Sequence, residues 1–209
     1  MQGNRRQFLA GMTAVSSIVC PGAGALAKVC KPRPDALAIG LQAFTLGEDQ
    51  IRAMPETLRE LRRIGYRKIE LGDLYGYAPQ QLRQWLDDAD LICRSMTIPG
   101  QAIGGVSLED DLDALAVGLR VIGVETVVMP IMRIPDRLGA PTIAPHDELV
   151  AQYVRANRAM TAADWSENAR MLNDVARRLQ PHGLRMGYHN HNFEFAPLDG
   201  TCGMEILLA

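Results

Sequence analysis

The sequence has no excess of positive charge. Its 209 residues carry 22 lysines and arginines against 24 aspartates and glutamates, for a formal net charge of −2 and a pI near 6.1. Proteins that bind nucleic acid or anionic lipid present a basic face. The composition therefore argues against both kinds of partner and leaves small polar or anionic ligands, which need only local positive charge.

Cysteine is also scarce, and no glycine-rich phosphate loop follows the first predicted strand. Beyond residue 27 only Cys30, Cys93 and Cys202 remain, an odd and scattered set that forms no disulfide framework. Cys93 lies in an apolar run and is predicted to be a small buried side chain. The segment "LAIGLQAFTLGEDQ" lacks the dinucleotide fingerprint, which argues against a nucleotide cofactor.

The N-terminal residues have the layout of an export signal. A polar start with Arg5 and Arg6 precedes a weakly apolar run over 8–19 and a small-residue end, "ALA". The run is too short to span a membrane, and "NRRQFL" resembles the twin-arginine signal, whose pathway carries folded proteins. We predict a signal peptide over 1–27, a linker over 28–36, a periplasmic location and no membrane contact after signal removal.

One pattern recurs along the rest of the chain: a helix end, a glycine and a short apolar strand. Gly65, Gly123 and Gly183 suit the left-handed residue that ends a helix, and Asp90 tolerates the same conformation in a fourth copy. Such repeats predict parallel strands joined by crossover helices. The strands are predicted over 37–44, 67–72, 91–98, 124–130 and 184–191.

The helix starts carry recognisable signals. Pro55 suits a first helical position, and Ser107 with Asp110 and Thr161 with Asp164 suit capping boxes. A long irregular stretch and one further helix are predicted over 131–146 and 147–160. Five such units suit an open doubly wound sheet or the first five units of an eight-unit barrel, which takes about 250 residues.

Glu70 is the first candidate for chemistry. In "RKIEL" it alternates with apolar residues near the carboxyl end of a strand. Both faces of a helix-covered parallel sheet are buried, so this carboxylate points into a polar centre or is paired with a basic residue. In a barrel that centre is the mouth of the active site. Gln42, at the end of the first strand, is a second candidate for substrate contact.

The segment "YHNHNF" is the second candidate. Alternation along a strand places His189 and His191 on one face and Asn190 on the other. His-x-His suits two ligands of one metal, or one ligand beside an imidazole that orients a hydroxyl or moves a proton. A purely structural, hydrogen-bonded pair is the alternative. The nearby acid Glu194 and the concentration of polar residues favour function.

Three segments closely resemble the sugar phosphate isomerase/epimerase family of xylose isomerase-like barrels, which includes inosose dehydratases and keto-sugar isomerases. They are "IGLQAFTL", "GYRKIELGDLYG" and "MTAADWSENARMLNDVARRLQPHGLRMGYHNHNFEFAPLDG". The resemblance implies an α/β fold, a (β/α)8 barrel of which residues 37–209 form about five units. It also implies a divalent metal, often manganese, with magnesium, cobalt and zinc as alternatives. Such enzymes move a proton beside a carbonyl through a metal-held enediolate, or eliminate from a keto-sugar.

The resemblance also implies roles for individual residues. His189 falls where relatives have a metal-binding glutamate, Glu70 matches a strand-two glutamate, and the block with His191 and Glu194 matches "YHNHDFEF". Where relatives read "SAH", this chain reads "SMT", so a substrate-contacting histidine is absent. The acid, histidine and glutamate of strands six to eight have no counterpart. The predicted roles are therefore metal ligand for His189, catalytic proton transfer for Glu194, and substrate binding for Glu70, His191, Asn190 and Gln42.

Two rival functions remain. The first is a non-catalytic remnant or a sugar-binding protein of the same fold. The second is the DNA-repair endonuclease branch of the superfamily, which needs a basic DNA-binding face and a cytoplasmic address that this sequence does not offer. We expect a small carbohydrate as partner and make no prediction of oligomeric state.

Overall fold

Five parallel strands form the central sheet, in the order β1-β2-β3-β4-β5. The structure is a computed structural model that describes residues 38–209, so the predicted signal peptide and linker lie outside the described residues. The strands are β1 (Gly40–Gln42), β2 (Lys68–Leu71), β3 (Ile92–Thr97), β4 (Thr126–Met129) and β5 (Arg185–Tyr188). The helices of the sheet units are α1 (Glu48–Arg52), α2 (Met54–Ile64), α3 (Pro79–Asp88), α4 (Leu112–Ile122), α5 (His146–Ala159) and α6 (Ala162–Leu179).

The strand order decides between the two predicted architectures. A doubly wound sheet reverses its strand order at a switch point, whereas a barrel adds each new strand beside the last. Here every strand pairs in parallel with its neighbour in the sequence, from β1 to β5. The described chain therefore has the sheet of five consecutive barrel units.

The two faces of the sheet differ in chemistry. Along β2 and β4 every second residue is buried against the helices, namely Ile69, Leu71, Val127 and Met129. These side chains pack with residues of α2, α3 and α4 in one hydrophobic core. The alternate residues of the same strands, Glu70 among them, lie on the inner face and are only partly buried. A polar side chain on that inner face is thus available to a ligand.

The predicted helix ends are confirmed. Gly65, Gly123 and Gly183 have φ angles of 124°, 102° and 71°, and Asp90 has a φ of 52°. Asp90 also accepts hydrogen bonds from Arg62 at 2.5 and 3.0 Å. A β-branched residue would be strained in this left-handed conformation, which an aspartate tolerates.

One of the two predicted capping boxes is confirmed and the other is wrong. Thr161 accepts the backbone N–H of Asp164 and itself donates to the Asp164 carboxylate, at the start of α6. Ser107 does not begin α4, because Asp111 caps it by accepting from the N–H groups of Asp113 and Ala114. Asp110 instead accepts the N–H of Ser107 at 2.8 Å, which closes a separate turn before the helix.

The end of the described chain contains elements that the sequence did not predict. Strand β5 ends at Tyr188 and not at residue 191, and a short 3-10 turn follows at Phe193–Phe195. A small antiparallel hairpin, β6 (Pro197–Leu198) and β7 (Thr201–Cys202), leads into α7 (Gly203–Leu208). Helix α7 packs against α6. Helix α7 also contacts the 3-10 turn that follows β5.

Within residues 38–209, no helix combines the length and apolarity that a bilayer crossing requires. The prediction that Cys93 is a buried apolar side chain is confirmed, since it is fully buried in the main core. Burial raises the pKa of its thiol to about 11. The thiol is therefore protonated and unreactive at neutral pH.

Candidate functional site

A cavity of about 510 Å³ opens at the carboxyl ends of the strands. Gln42 is the last residue of β1, Thr97 is the last of β3, and His189 follows β5, and all three line the cavity. The remaining wall is largely apolar and includes Phe44, Leu46, Ile51, Tyr75, Ile103, Val106, Ile131, Leu149, Val150 and Tyr153. Substrate sites of parallel barrels lie at this end of the sheet.

Four side chains form what we call the inner polar layer: Gln42, Glu70, Ser95 and Thr97. The Glu70 carboxylate accepts hydrogen bonds from Gln42 Nε2 at 2.9 Å, Ser95 Oγ at 2.5 Å and Thr97 Oγ1 at 3.1 Å. The donors come from β1 and β3, the two neighbours of β2. All three are neutral, so the carboxylate is fixed by amide and hydroxyl groups.

Strand register creates the inner polar layer. Gln42 lies opposite Glu70, and Glu70 lies opposite Ser95. The register shifts by one residue between Ile69 and Glu70, so that Arg94 is skipped and Ser95 takes its place. A bulge of this kind re-aims side chains near a functional site. The shift gives Glu70 a hydroxyl partner on β3.

The predicted substrate-binding residues Gln42 and Glu70 are placed differently. Gln42 lines the cavity, whereas the Glu70 carboxylate lies behind Gln42 and Thr97 and is not part of the lining. Because one amide hydrogen of Gln42 is bound to Glu70, its carbonyl oxygen and second hydrogen are left for a ligand. Glu70 therefore orients the groups that face the cavity.

Residues 189–195 form what we call the post-strand turn. The His189 N–H donates to the Met129 carbonyl at 2.9 Å, which extends the β4–β5 pairing by one residue. His189 and His191 both line the cavity, with ring centroids 5.0 Å apart. His191 also stacks on Phe193 at 5.1 Å with an angle of 7° between the rings. Both imidazoles therefore lie on the same side of the chain, facing the cavity, and their predicted placement on one side is confirmed.

Asn190, a predicted substrate contact, is exposed and does not belong to the cavity lining. Its amide nitrogen donates to the His191 carbonyl at 3.3 Å. The residue lies beyond the end of β5, which is at Tyr188. The structure brings Asn190 next to the site without pointing it into the cavity.

Glu194, the predicted catalytic acid, is fully buried at 0% exposure. Its carboxylate accepts the Tyr188 hydroxyl at 2.9 Å and the His191 backbone N–H at 2.7 Å. It does not line the cavity, so direct contact with a substrate does not fit this position. The expectation of direct proton transfer by Glu194 is corrected accordingly: the carboxylate lies behind His191.

Burial shifts two pKa values in the post-strand turn. Burial raises the pKa of Tyr188, and the neighbouring Glu194 carboxylate raises it further. Burial lowers the pKa of His191, Glu194 opposes that change, and His189 adds to it. Both groups are therefore neutral at pH 7, with Tyr188 as a hydrogen-bond donor and His191 as a neutral imidazole.

The described residues do not form a complete metal centre. In the range 38–209, no group of three or more His, Cys, Asp or Glu side chains is close enough to hold an ion. Catalytic metal sites take about three protein donors. His189 faces the cavity beside His191, whereas the Glu70 carboxylate already accepts three hydrogen bonds in the inner polar layer and does not line the cavity. The role of His189 as a metal ligand stays a prediction.

Sequence reasoning missed two residues of the cavity wall. Asp73 comes two residues after the end of β2 and accepts the Val106 N–H at 3.2 Å, which joins two loops at the cavity rim. Its position after a strand was the available signal. Tyr153 comes from α5 and is nearly fully buried. No local pattern distinguishes it from any other apolar helix residue.

Comparison with known proteins identifies the fold. No protein-family model matches the sequence, and no curated protein matches it. A sugar phosphate isomerase/epimerase from Parabacteroides distasonis is similar in structure, with a TM-score of 0.57, 18% identity and coverage of 90% of this chain. The chain spans 65% of the length of that protein. At this identity the likeness establishes the fold: a parallel α/β sheet of the xylose isomerase-like TIM-barrel type.

Two further structures are less similar. A family 2 AP endonuclease from Brucella melitensis has a TM-score of 0.47 and 16% identity, over 72% of this chain and 54% of that one. A xylose isomerase-like TIM barrel protein from Mycobacterium smegmatis in complex with magnesium has a TM-score of 0.46 and 14% identity, again over 72% and 54%. We draw nothing about activity from either.

Proposed function

We propose that this chain forms the substrate-facing part of a sugar isomerase or epimerase, or of a keto-sugar lyase, that moves a proton next to a carbonyl. One observation carries the proposal. Two imidazoles, His189 and His191, face one cavity at the carboxyl ends of the strands together with the polar groups of Gln42 and Thr97. An imidazole accepts a proton only in its neutral form, which the lowered pKa of His191 favours near pH 7.

The rest of the wall suits a sugar. Phe44, Tyr75 and Tyr153 give the cavity aromatic surfaces, on which the C–H face of a sugar ring packs. Gln42 and Thr97 supply an amide and a hydroxyl that hydrogen-bond ring hydroxyls. In this arrangement His191 accepts the proton from the carbon beside the carbonyl. It returns that proton to the same carbon in an epimerase, to the neighbouring carbon in an isomerase, or to the departing oxygen in a lyase.

A divalent metal, manganese in our expectation, is a further proposal. His189 is the residue that we assign to it, since its ring reaches the cavity from the end of β5. The described donors are too few for a complete site. Manganese titration of the protein, read by electron paramagnetic resonance, tests the assignment. Manganese binding by a His189→Ala variant that equals that of the wild type would refute the assignment of His189 as a metal ligand.

Solvent isotope exchange tests the proposed reaction directly. The protein is incubated in D2O with a panel of keto-sugars, with and without manganese, and proton NMR follows the loss of the signal beside the carbonyl. We expect exchange with one class of sugar, and a loss of about 10²–10⁴-fold in rate for His191→Ala. His182→Ala is the matched control, because His182 is paired with Asp113 at 2.9 Å and does not line the cavity.

The rival function is a non-catalytic sugar-binding protein of the same fold. It predicts the opposite pair of results: a sugar stabilises the chain against heat, yet no deuterium enters that sugar. The exposed position of Phe44 at the cavity wall favours binding of a ring in either case. If no sugar binds and none exchanges, both the enzyme and the binding protein are excluded.

We also propose export by the twin-arginine pathway, from the sequence of residues 1–27 alone. The expected outcome is a periplasmic protein whose mature N-terminus lies near residue 28. Replacement of Arg5 and Arg6 by lysine blocks that pathway and leaves the uncleaved chain in the cytoplasm. Cell fractionation with N-terminal sequencing measures both results. Cleavage and export that persist in the lysine variant would refute the assignment.

A further inference from the structure

Glu194 is the one fully buried carboxylate in the described part of the chain, and it has no part in the mechanism proposed above. In residues 38–209, every other polar side chain that is buried to the same degree is a serine, threonine, asparagine or glutamine. Burial of a carboxylate is unfavourable unless hydrogen bonds compensate for lost water. Here both oxygens have a donor, Tyr188 Oη at 2.9 Å and the His191 backbone nitrogen at 2.7 Å. The protein thus maintains a buried acceptor directly behind His191.

The His191 ring has one nitrogen turned toward that acceptor. Its Nδ1 is buried, lacks a hydrogen-bond partner and lies 3.8 Å from Glu194 Oε1. The Oε1 atom accepts one bond from Tyr188, and a carboxylate oxygen has room for a second. A shift of about 1 Å brings Nδ1 into the N–H···O range of roughly 2.7–3.2 Å.

Neighbouring groups restrict the ring to this orientation. Phe193 stacks on the His191 ring at 5.1 Å, and its own carbonyl accepts Asn157 Nδ2 from α5 at 3.0 Å. The side chain of His191 is 37% exposed while Nδ1 is buried, so Nε2 is the nitrogen left for the cavity. The ring is thereby held between a stacked aromatic and a buried carboxylate.

We propose that Glu194 is a positioning residue that fixes His191 as the Nδ1–H tautomer and so leaves the Nε2 lone pair facing the cavity. A carboxylate accepts hydrogen bonds and cannot donate one, so it selects the tautomer that carries its proton on Nδ1. Nε2 is then the atom that takes a proton from a substrate. The consequence for catalysis rests on the proposed function, whereas the tautomer itself does not.

The tautomer is measured by long-range ¹H–¹⁵N correlation NMR on the full chain with ¹⁵N-labelled histidine, without substrate. The His191→Gln variant assigns the signal among the four histidines. We expect Nδ1–H for His191 in the wild type. In Glu194→Gln the amide donates to Nδ1, and we expect the Nε2–H form. Asn168→Ala is the matched control, since Asn168 is a buried polar residue that bonds to Arg133 and not to the post-strand turn.

The wild-type spectrum alone decides the proposal even if Glu194→Gln fails to fold. An Nε2–H signal for His191 overturns it, and so does a tautomer that is the same in wild type and folded Glu194→Gln. If exchange activity is present, Glu194→Gln is expected to lower kcat by about 10²-fold with KM nearly unchanged. An Nδ1–H signal in a protein without exchange leaves the positioning intact and rejects the proposed function. Exchange in a protein whose His191 gives an Nε2–H signal supports the proposed function and rejects the positioning role of Glu194.

Discussion

The inner polar layer and the post-strand turn each enclose one carboxylate, but the two are assembled in different ways. Glu70 is bound by side chains that lie 25, 27 and 28 residues away along the chain. Glu194 is bound by groups three and six residues away. The first carboxylate therefore depends on the register of three strands, and the second depends on the fold of a single turn.

The difference separates two tasks at one cavity. The inner polar layer holds Gln42 and Thr97 toward the cavity and, because it ties β1, β2 and β3 together, stabilises the sheet at the same time. The post-strand turn holds His191 and adds only one hydrogen bond, from the His189 N–H, to the pairing of the sheet. A substitution in the layer is expected to affect folding and site together, and a substitution in the turn is expected to affect mainly the site.

The largest effect is expected for Glu70→Ala. The change leaves three donors without their acceptor, including the Thr97 hydroxyl, which is 1% exposed. We expect a loss of about 3 kcal/mol in the free energy of unfolding, measured by urea titration. Glu56→Ala is the matched control, an exposed carboxylate paired with Arg59, and should cost less than about 0.5 kcal/mol. Equal losses in the two variants would contradict the assigned role of the layer.

A smaller effect is expected for Tyr188→Phe in the post-strand turn. The buried Glu194 carboxylate loses one of its two donors, and hydrogen bonds to charged groups contribute about 1.5–3 kcal/mol, so we expect a loss near 2 kcal/mol. Tyr77→Phe is the control, because the Tyr77 hydroxyl makes only long contacts of 3.4 and 3.5 Å to backbone carbonyls. A Tyr188 variant as stable as the Tyr77 variant would show that Glu194 does not need this donor.

The same contrast explains what the sequence could predict. Local patterns identified the helix ends at Gly123 and Asp90, the capping box at Thr161 and the acid that follows the two histidines. They also predicted the parallel sheet, since repeated helix–strand units leave little other choice. The barrel and the roles of individual residues came from the family resemblance, because periodicity alone also allowed a doubly wound sheet.

Other features depend on contacts that no local pattern encodes. The register shift that replaces Arg94 by Ser95 opposite Glu70 arises from pairing between strands. Alternation predicted that the strand continues to residue 191, but the chain turns after β5 ends at Tyr188. The hydrogen bonds that keep the Glu194 carboxylate out of the cavity form in that turn. Tyr153 reaches the cavity only because α5 lies over it.

Thr161→Ala tests a second carboxylate that is bound by a residue close to it in the sequence. This is Asp164, which is three residues from Thr161. Burial raises the pKa of Asp164, but the hydrogen bonds from Thr161 and Arg137 outweigh it and lower the pKa. We expect a loss of about 1 kcal/mol at pH 7 and a much smaller one for Thr161→Ser, which keeps the hydroxyl. Because the carboxylate has to be ionised, the difference from wild type should shrink as the pH falls through the lowered pKa. A loss that is unchanged in acid would exclude a contribution from Asp164.

The smallest expected effect is the coupling free energy between the inner polar layer and the post-strand turn, which a double-mutant cycle measures. Glu70→Gln and Tyr188→Phe alter hydrogen bonds that share no partner, so their effects on the free energy of unfolding should add to within about 0.5 kcal/mol. The reference cycle pairs Glu70→Gln with Ser95→Ala, which alter the two ends of one 2.5 Å hydrogen bond and should show coupling of about 1–2 kcal/mol. Coupling of that size across the cavity would mean that the layer and the turn act as one unit. In that case Glu70 helps to hold His191, and its substitution should alter the tautomer that Glu194 is proposed to select.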